Sequence, residues 1–208
     1  VLRAAGHRVY APPGLCCGRT YYSVGMIGEA RRRAGHMRDA LAPYVARGIP
    51  VVGLEPSCLF SLRDEFPALL PGTQPLAASA LLFEEFLARE PRRLKLSERR
   101  KEFFLHGHCH QKAFDAMPAV EAVLGMIPGA KLTRIASGCC GMAGSFGYEA
   151  EHYETSMKMG EAGLLPAVRE APADAVIVAD GTSCRHQIAD ATGRRALHVA
   201  RVLEGALP

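Results

Sequence analysis

Two pairs of adjacent cysteines, each followed by glycine, are the residues of this chain best suited to chemistry: Leu15-Cys16-Cys17-Gly18 and Gly138-Cys139-Cys140-Gly141. Each pair is answered downstream by a Ser-Cys dipeptide. Cys58 follows Cys17 by 41 positions and Cys184 follows Cys140 by 44. A further cysteine, Cys109, stands 30 positions before Cys139. Seven cysteines is an odd number, and adjacent cysteines are poor partners for a disulfide framework of the secreted kind. In a reducing compartment, clustered thiols bind metal or do redox chemistry instead. The expected metal ligands are therefore Cys109, Cys139, Cys140 and Cys184 in one set, and Cys16, Cys17 and Cys58 in the other.

Histidine can join thiolate in zinc or Rieske-type centres. The candidates are His106, His108, His110 and His186, and His110, directly beside Cys109, is retained as a cofactor-binding residue. Gly18 and Gly141 are assigned with it, because a loop that wraps a cluster needs backbone freedom. Lys112 and Arg185 are placed to balance thiolate charge. The run Gly141 to Gly147 has the look of a phosphate-cradling loop ahead of a helix, but it lacks the G-x-G start and the lysine of a P-loop. Of the remaining histidines, His7, His36, His152 and His198 read as structural or surface residues.

The elements that must hold these side chains follow from hydrophobic periodicity. Short apolar runs at Val9 to Ala11, Pro50 to Leu54, Phe103 to His106, Leu132 to Ile135, Ala175 to Ala179 and Ala196 to Val199 read as strands. Between them, Met26 to Ala46, Ala77 to Glu90, Ala119 to Met126, Glu149 to Val168 and Ser183 to Thr192 read as helices. Alternation of this kind predicts an α/β fold with parallel sheets. The cysteines fall at the carboxyl ends of strands, which is the edge where α/β sheets bind ligands. Helix N-termini behind those loops would stabilise thiolate charge. The recurrence of strand, Cys-Cys-Gly, helix, strand and Ser-Cys predicts a duplication of two pseudo-repeated βα modules. The expected boundaries are 1–90 for the first module, 91–101 for a charged linker carrying Pro91, and 102–208 for the second. The first copy has no counterpart of Cys109, so it is read as truncated, and the chain as a piece of something longer.

The bulk numbers exclude several other classes. The formal charge of +4 is spread over mixed-sign stretches, and only 7% of residues are aromatic, with no Trp. That disfavours nucleic acid, which calls for basic residues interleaved with aromatics. No apolar run is long enough to span a membrane and no signal-peptide pattern opens the chain, so a cytoplasmic location is expected.

The motif set resembles the cysteine-rich domain found in heterodisulfide reductase subunits and in iron–sulfur subunits of glycolate, glycerol-3-phosphate and lactate oxidoreductases. The stretches HGHCHQKAF, SGCCGMAGSFGYEAEHYE and VADGTSCRHQIAD are similar to the C-terminal end of fused proteins that carry an FAD-linked oxidase domain, then ferredoxin-type clusters, then this region. The resemblance implies an iron–sulfur cluster, of the 4Fe-4S type, in an electron-transfer module. It also implies partners: a flavin-containing domain holding FAD, a ferredoxin-type domain and a downstream electron acceptor, in an oxidoreductase of 2-hydroxy acids such as D-lactate, glycolate or D-2-hydroxyglutarate. In the family's fuller pattern each module ends in CxxC, whereas here Glu55 and Gly181 take the first position, leaving at most four cysteines per module. A structural zinc module used for docking, and thiol/disulfide catalysis by the cysteines themselves, are the other two readings.

Overall fold

The apolar run Phe103-Phe104-Leu105-His106 forms an interior strand of the larger sheet, since both its faces are covered and parallel strands of this kind need helices on either side. The computed structural model describes all residues from Val1 to Pro208 and divides into two units. One comprises Tyr10–Phe86, the other Val1–Val9 together with Leu87–Pro208.

In chain order the elements are α1 (Arg19–Ser23), α2 (Ile27–Val45), β1 (Val51–Gly53), α3 (Pro56–Arg63), α4 (Glu65–Leu69), α5 (Gln74–Ser79), β2 (Ala80–Leu82) and α6 (Phe83–Ala88). There follow β3 (Glu102–His106), α7 (Cys109–Ala113), α8 (Met117–Leu124), β4 (Lys131–Arg134), α9 (Tyr153–Glu161), α10 (Leu164–Glu170), β5 (Val176–Ala179), α11 (Thr182–Thr192), β6 (Ala196–Leu197) and α12 (Val199–Gly205). The first unit holds a two-stranded parallel sheet in which Val51 to Gly53 pair with Ala80 to Leu82. The second holds a four-stranded sheet in the order β4-β3-β5-β6, parallel throughout. Phe103 aligns with Leu132 on one side and Val176 on the other. The fold class is thus α/β with parallel sheets, as expected.

Leu105, Ile177 and Val178 lie in the sheet's interior, almost without exposure, and Val120, Leu124, Leu164, Leu165, Ile188 and Leu203 bury the helices against it. Cys140 and Cys184 belong to the same apolar cluster as Ile135, Leu164, Leu165 and Ile177, so the core itself forms one wall around them. The edge strand β4 is largely exposed and carries charge, with Lys131 paired to Glu102 and Arg134 to Glu121, which discourages pairing with another chain.

Several elements depart from the periodicity reading. Val9 to Ala11 forms no strand. The stretch Ala77 to Glu90, read as one helix, is interrupted by β2, because Ala80, Leu81 and Leu82 are all buried and gain a parallel partner in β1. The expected helix Glu149 to Val168 opens as a 3₁₀ turn, Ala150–His152, which follows another at Phe146–Tyr148, then becomes α9 and α10, which break at Gly163. Pro166 sits in the first turn of α10, where its missing N–H costs nothing. The strand expected at Ala196 to Val199 stops at Leu197, because the His198 side chain accepts the Ala200 N–H and caps α12. No helix is long and apolar enough to cross a membrane.

The two units share a local arrangement: Cys58 and Cys184 are each the third residue of the helix that follows a parallel strand, α3 after β1 and α11 after β5. Leu105 is fully buried in an interior strand, so Leu105→Ala should cost about 2–5 kcal/mol through lost transfer energy and the cavity left behind. Urea denaturation measures this directly, and a cost under about 1 kcal/mol would mean that the strand is not in the core.

Candidate metal centre

Four sulfurs meet at the carboxyl edge of the larger sheet. Cys109 begins α7 just beyond β3, Cys139 and Cys140 lie in the loop beyond β4, and Cys184 lies in the first turn of α11 beyond β5. The Cys140 and Cys184 sulfurs are 3.3 Å apart. Cys139 is in side-chain contact with both Cys109 and Cys140, so the four form an unbroken line. All seven cysteines are free of disulfides.

Crowding separates their acidities. Contact with the Cys109 thiol, and next the Cys140 thiol, holds Cys139 far below the usual thiol range, with the Gly141 N–H adding to the effect. Cys184 is also held well below it, first by Cys140 and then, against the cost of burial, by His106. Cys109 is pushed up by Cys139 and burial, and Cys140 by Cys139, Cys184 and burial. The shifts thus run downward at Cys139 and Cys184 and upward at Cys109 and Cys140. A metal binds the thiolate form, so binding one on all four would release protons.

The loop that carries the cysteine pair is fixed by its backbone. Gly141 donates its N–H to the Cys139 sulfur at 3.3 Å and has φ +98, where an L side chain is strained. A Cβ there would sit 2.1 Å from the Ser156 carbonyl oxygen. Lys112 donates to the carbonyls of Ser137 and Gly138, each at 2.6 Å, and burial lowers its pKa while the nearby cysteines oppose that shift. It thus ties α7 to the cysteine loop while placing a positive charge beside the thiolates. Arg185 donates to the carbonyls of Ala179 and Asp180, fastening α11 to the end of β5.

A buried polar chain stiffens the opposite wall. Gln111 accepts the His108 N–H at 3.0 Å and donates to Asp180 at 2.7 Å, and the other Asp180 oxygen accepts the Val199 N–H at 3.0 Å. His108 caps α7 by accepting the His110 N–H at 3.2 Å, and the two rings stack at 5.2 Å. His110, singled out in the sequence by its position next to Cys109, is thereby oriented by His108. His186 accepts from or donates to the Tyr148 hydroxyl at 2.9 Å. Gly181 lies beneath the His108 ring, whose Cδ2 would be 2.4 Å from a Cβ at that position. Sequence adjacency favours His110 over His106, yet it is His106 that reaches the sulfurs. A ring nitrogen of His106 lies within 4.8 Å of the Cys140 and Cys184 sulfurs, and all three residues are buried. Its position as the last residue of β3 is the signal that points to it, since strand ends face the ligand edge.

The smaller unit gathers its own cysteines. Cys17 and Cys58 are in contact, and the Cys58 thiol together with the Arg19 N–H lowers Cys17 to about 7. Cys58 is pushed up by Cys17 and burial, with Glu55 and Cys16 adding to the effect. Gly18, at φ +78, donates its N–H to the Cys16 sulfur at 3.4 Å, the same contact that Gly141 makes with Cys139. No fourth cysteine accompanies these three within the unit.

The donor set of the larger unit fits a thiophilic metal: four soft sulfurs on a partly desolvated edge with backbone N–H groups and one lysine to offset charge. Residues 103–189 match the CCG family, described as a cysteine-rich domain. The chain is 32% identical over 197 residues to one subunit of the anaerobic glycerol-3-phosphate dehydrogenase of Escherichia coli K12, covering 92% of this chain and 49% of that protein. It is 30% identical over 188 residues to D-2-hydroxyglutarate dehydrogenase of Escherichia coli K12, covering 89% of this chain and 18% of that one. Against the Pseudomonas putida D-2-hydroxyglutarate dehydrogenase it is 30% identical over 202 residues, covering 95% and 19% respectively. The chain thus spans about half the length of the first relative and under a fifth of the others.

Gly141→Ala should lower metal bound at the larger unit several-fold, because the Ser156 carbonyl leaves no room for a methyl group. Metal content after reconstitution tests this, with circular dichroism confirming a folded chain. In the metal-free protein, Cys58→Ala removes the donor that lowers Cys17, so the midpoint of iodoacetamide alkylation at Cys17 should rise from about 7 toward the ordinary thiol value. An unmoved midpoint would break the Cys17–Cys58 assignment.

Proposed function

Starting from the premise that residues 103–189 are a CCG cysteine-rich domain, we propose that this chain is the iron–sulfur electron-transfer region of a flavin-linked dehydrogenase acting on a 2-hydroxy acid. D-lactate, glycolate and D-2-hydroxyglutarate are the substrates in view. The observation that carries the reading is the unbroken line of four sulfurs from Cys109 through Cys139 and Cys140 to Cys184. Similarity to dehydrogenases over most of the chain supports the reaction class, and the flavin and substrate steps belong, in this reading, to other domains of the same protein.

When bound, an iron–sulfur cluster supplies one-electron transfer, its potential set by ligands, net charge, hydrogen bonds to sulfur and exposure. The chain's own residues act on each of these. Cys109, Cys139, Cys140 and Cys184 would hold the cluster, and the apolar cluster around Cys140 and Cys184 keeps water from their sulfurs. The Gly141 N–H offsets charge at Cys139, and Lys112 adds a cation beside the thiolates. Cys16, Cys17 and Cys58, with Gly18, would form a second and smaller site of related chemistry, consistent with a duplicated origin of the two modules. His110 is assigned to the rim of the larger site.

A structural zinc ion is the second reading, favoured by one distance. Two thiolates on a tetrahedral zinc with bonds of about 2.3 Å are roughly 3.8 Å apart, near the 3.3 Å between Cys140 and Cys184. In either reading, Cys140→Ser should abolish metal binding at the larger unit while Cys58→Ser leaves it intact. Metal content of the two purified variants checks this. Wild-type stoichiometry in both would refute the site assignment.

A further inference from the structure

His106 is the only histidine of the chain that is buried outright, with no exposed surface at all. Such burial is costly for a polar ring unless both nitrogens are satisfied. One is: Nδ1 lies 2.9 Å from the Ser137 hydroxyl. The other, Nε2, is buried and has no hydrogen-bond partner. With Nδ1 committed to Ser137, Nε2 is the nitrogen left for the Cys140 and Cys184 sulfurs, with which a His106 ring nitrogen forms a buried trio spanning no more than 4.8 Å.

The tautomer decides what this ring can do. A neutral imidazole has one donor and one acceptor nitrogen. Nε2 makes no hydrogen bond, so a proton there would be a buried donor left unsatisfied. With the proton on Nδ1 and donated to Ser137, Nε2 instead presents a lone pair toward the two sulfurs. Lone pairs on nitrogen and sulfur repel one another unless a cation lies between them. Fixing one ring nitrogen by a hydrogen bond so that the other can bind metal is the usual way a protein orients a histidine ligand.

The neighbouring histidine has the opposite arrangement. His108 uses Nδ1 to accept the His110 N–H, so its single proton stands on Nε2, and that nitrogen can donate to sulfur but cannot ligate. The two histidines flanking Gly107 thus have divided roles: His106 is built to coordinate and His108 to donate.

We infer that His106 Nε2 is a nitrogen ligand to the metal held by Cys140 and Cys184, giving the centre mixed nitrogen and sulfur coordination. The inference rests on the reading that these cysteines hold an iron–sulfur centre. An imidazole ligand carries no negative charge, so a centre that uses it has a higher potential than one with a further thiolate there, as in Rieske centres.

The test uses the full chain, labelled with ¹⁵N-histidine and reconstituted anaerobically with iron and sulfide, in its paramagnetic oxidation state. Pulsed electron paramagnetic resonance should find a ¹⁵N coupling of the strength of a directly bound nitrogen. His106→Cys should retain iron, lose that coupling and show a lower midpoint potential. If His106→Cys takes up no iron, ¹⁵N-imidazole is added to His106→Ala. Restored iron uptake with direct coupling then supports the ligand role, and no restoration overturns it. Wild-type protein that binds iron and sulfide but shows only weak, remote nitrogen coupling overturns the inference alone, as does direct coupling that persists in His106→Cys. Wild-type protein that takes up neither iron nor sulfide defeats the underlying iron–sulfur reading, and this inference with it.

Discussion

The contact among four cysteine sulfurs is the constraint on which the rest of the larger unit depends. Like charges at van der Waals distance on a partly buried edge repel strongly, and burial weakens the screening that water would give. That repulsion, with burial, pushes the Cys109 and Cys140 thiols up, toward the protonated form. Further relief comes from the Gly141 N–H and from the Lys112 ammonium, which is held by two carbonyls of the cysteine loop. Each of these devices also suits a cation at the centre of the set.

The sheet explains how residues so far apart in sequence come together. Parallel strands β4, β3 and β5 are neighbours, so the loops that leave their carboxyl ends start side by side and deliver Cys139 and Cys140, Cys109 and Cys184 to one edge. Rigid support comes from underneath. Leu105, Ile177 and Leu164 fill the core, the Gln111–Asp180 bond joins α7 to the end of β5, and Ser156 closes against Gly141. A site whose supporting shell is buried and hydrogen-bonded holds its ligands in place before the ligand arrives. The smaller unit repeats the Gly N–H to sulfur contact at Cys16 with fewer thiols and a two-stranded sheet.

Much of this was legible in the sequence, for identifiable reasons. The cysteines could be grouped because thiols are few and their offsets recur, and β3 and β5 stood out as apolar runs of strand length. Ala80 to Leu82 could not be recognised, since three apolar residues inside a helical pattern carry no period of their own and only pairing with β1 makes them a strand. His110 drew attention through adjacency to Cys109, whereas His106, although read as the end of its strand, could be preferred only once its ring was seen beside Ser137 and the sulfurs. Lys112, expected only as a counter-charge, proved to be a tether as well, because its carbonyl partners lie 25 and 26 residues away. Gln111 and Asp180 gave no sign of their pairing across 69 positions, since long-range polar contacts leave no local pattern.

The most direct test of the central claim is iron and acid-labile sulfide analysis, with a visible spectrum, on protein purified without oxygen. The account requires iron and sulfide together in the chain, with a broad visible absorbance that bleaches on reduction and is lost in Cys140→Ser. Stoichiometric zinc without sulfide, in colourless protein that cannot be reconstituted with iron, would contradict it.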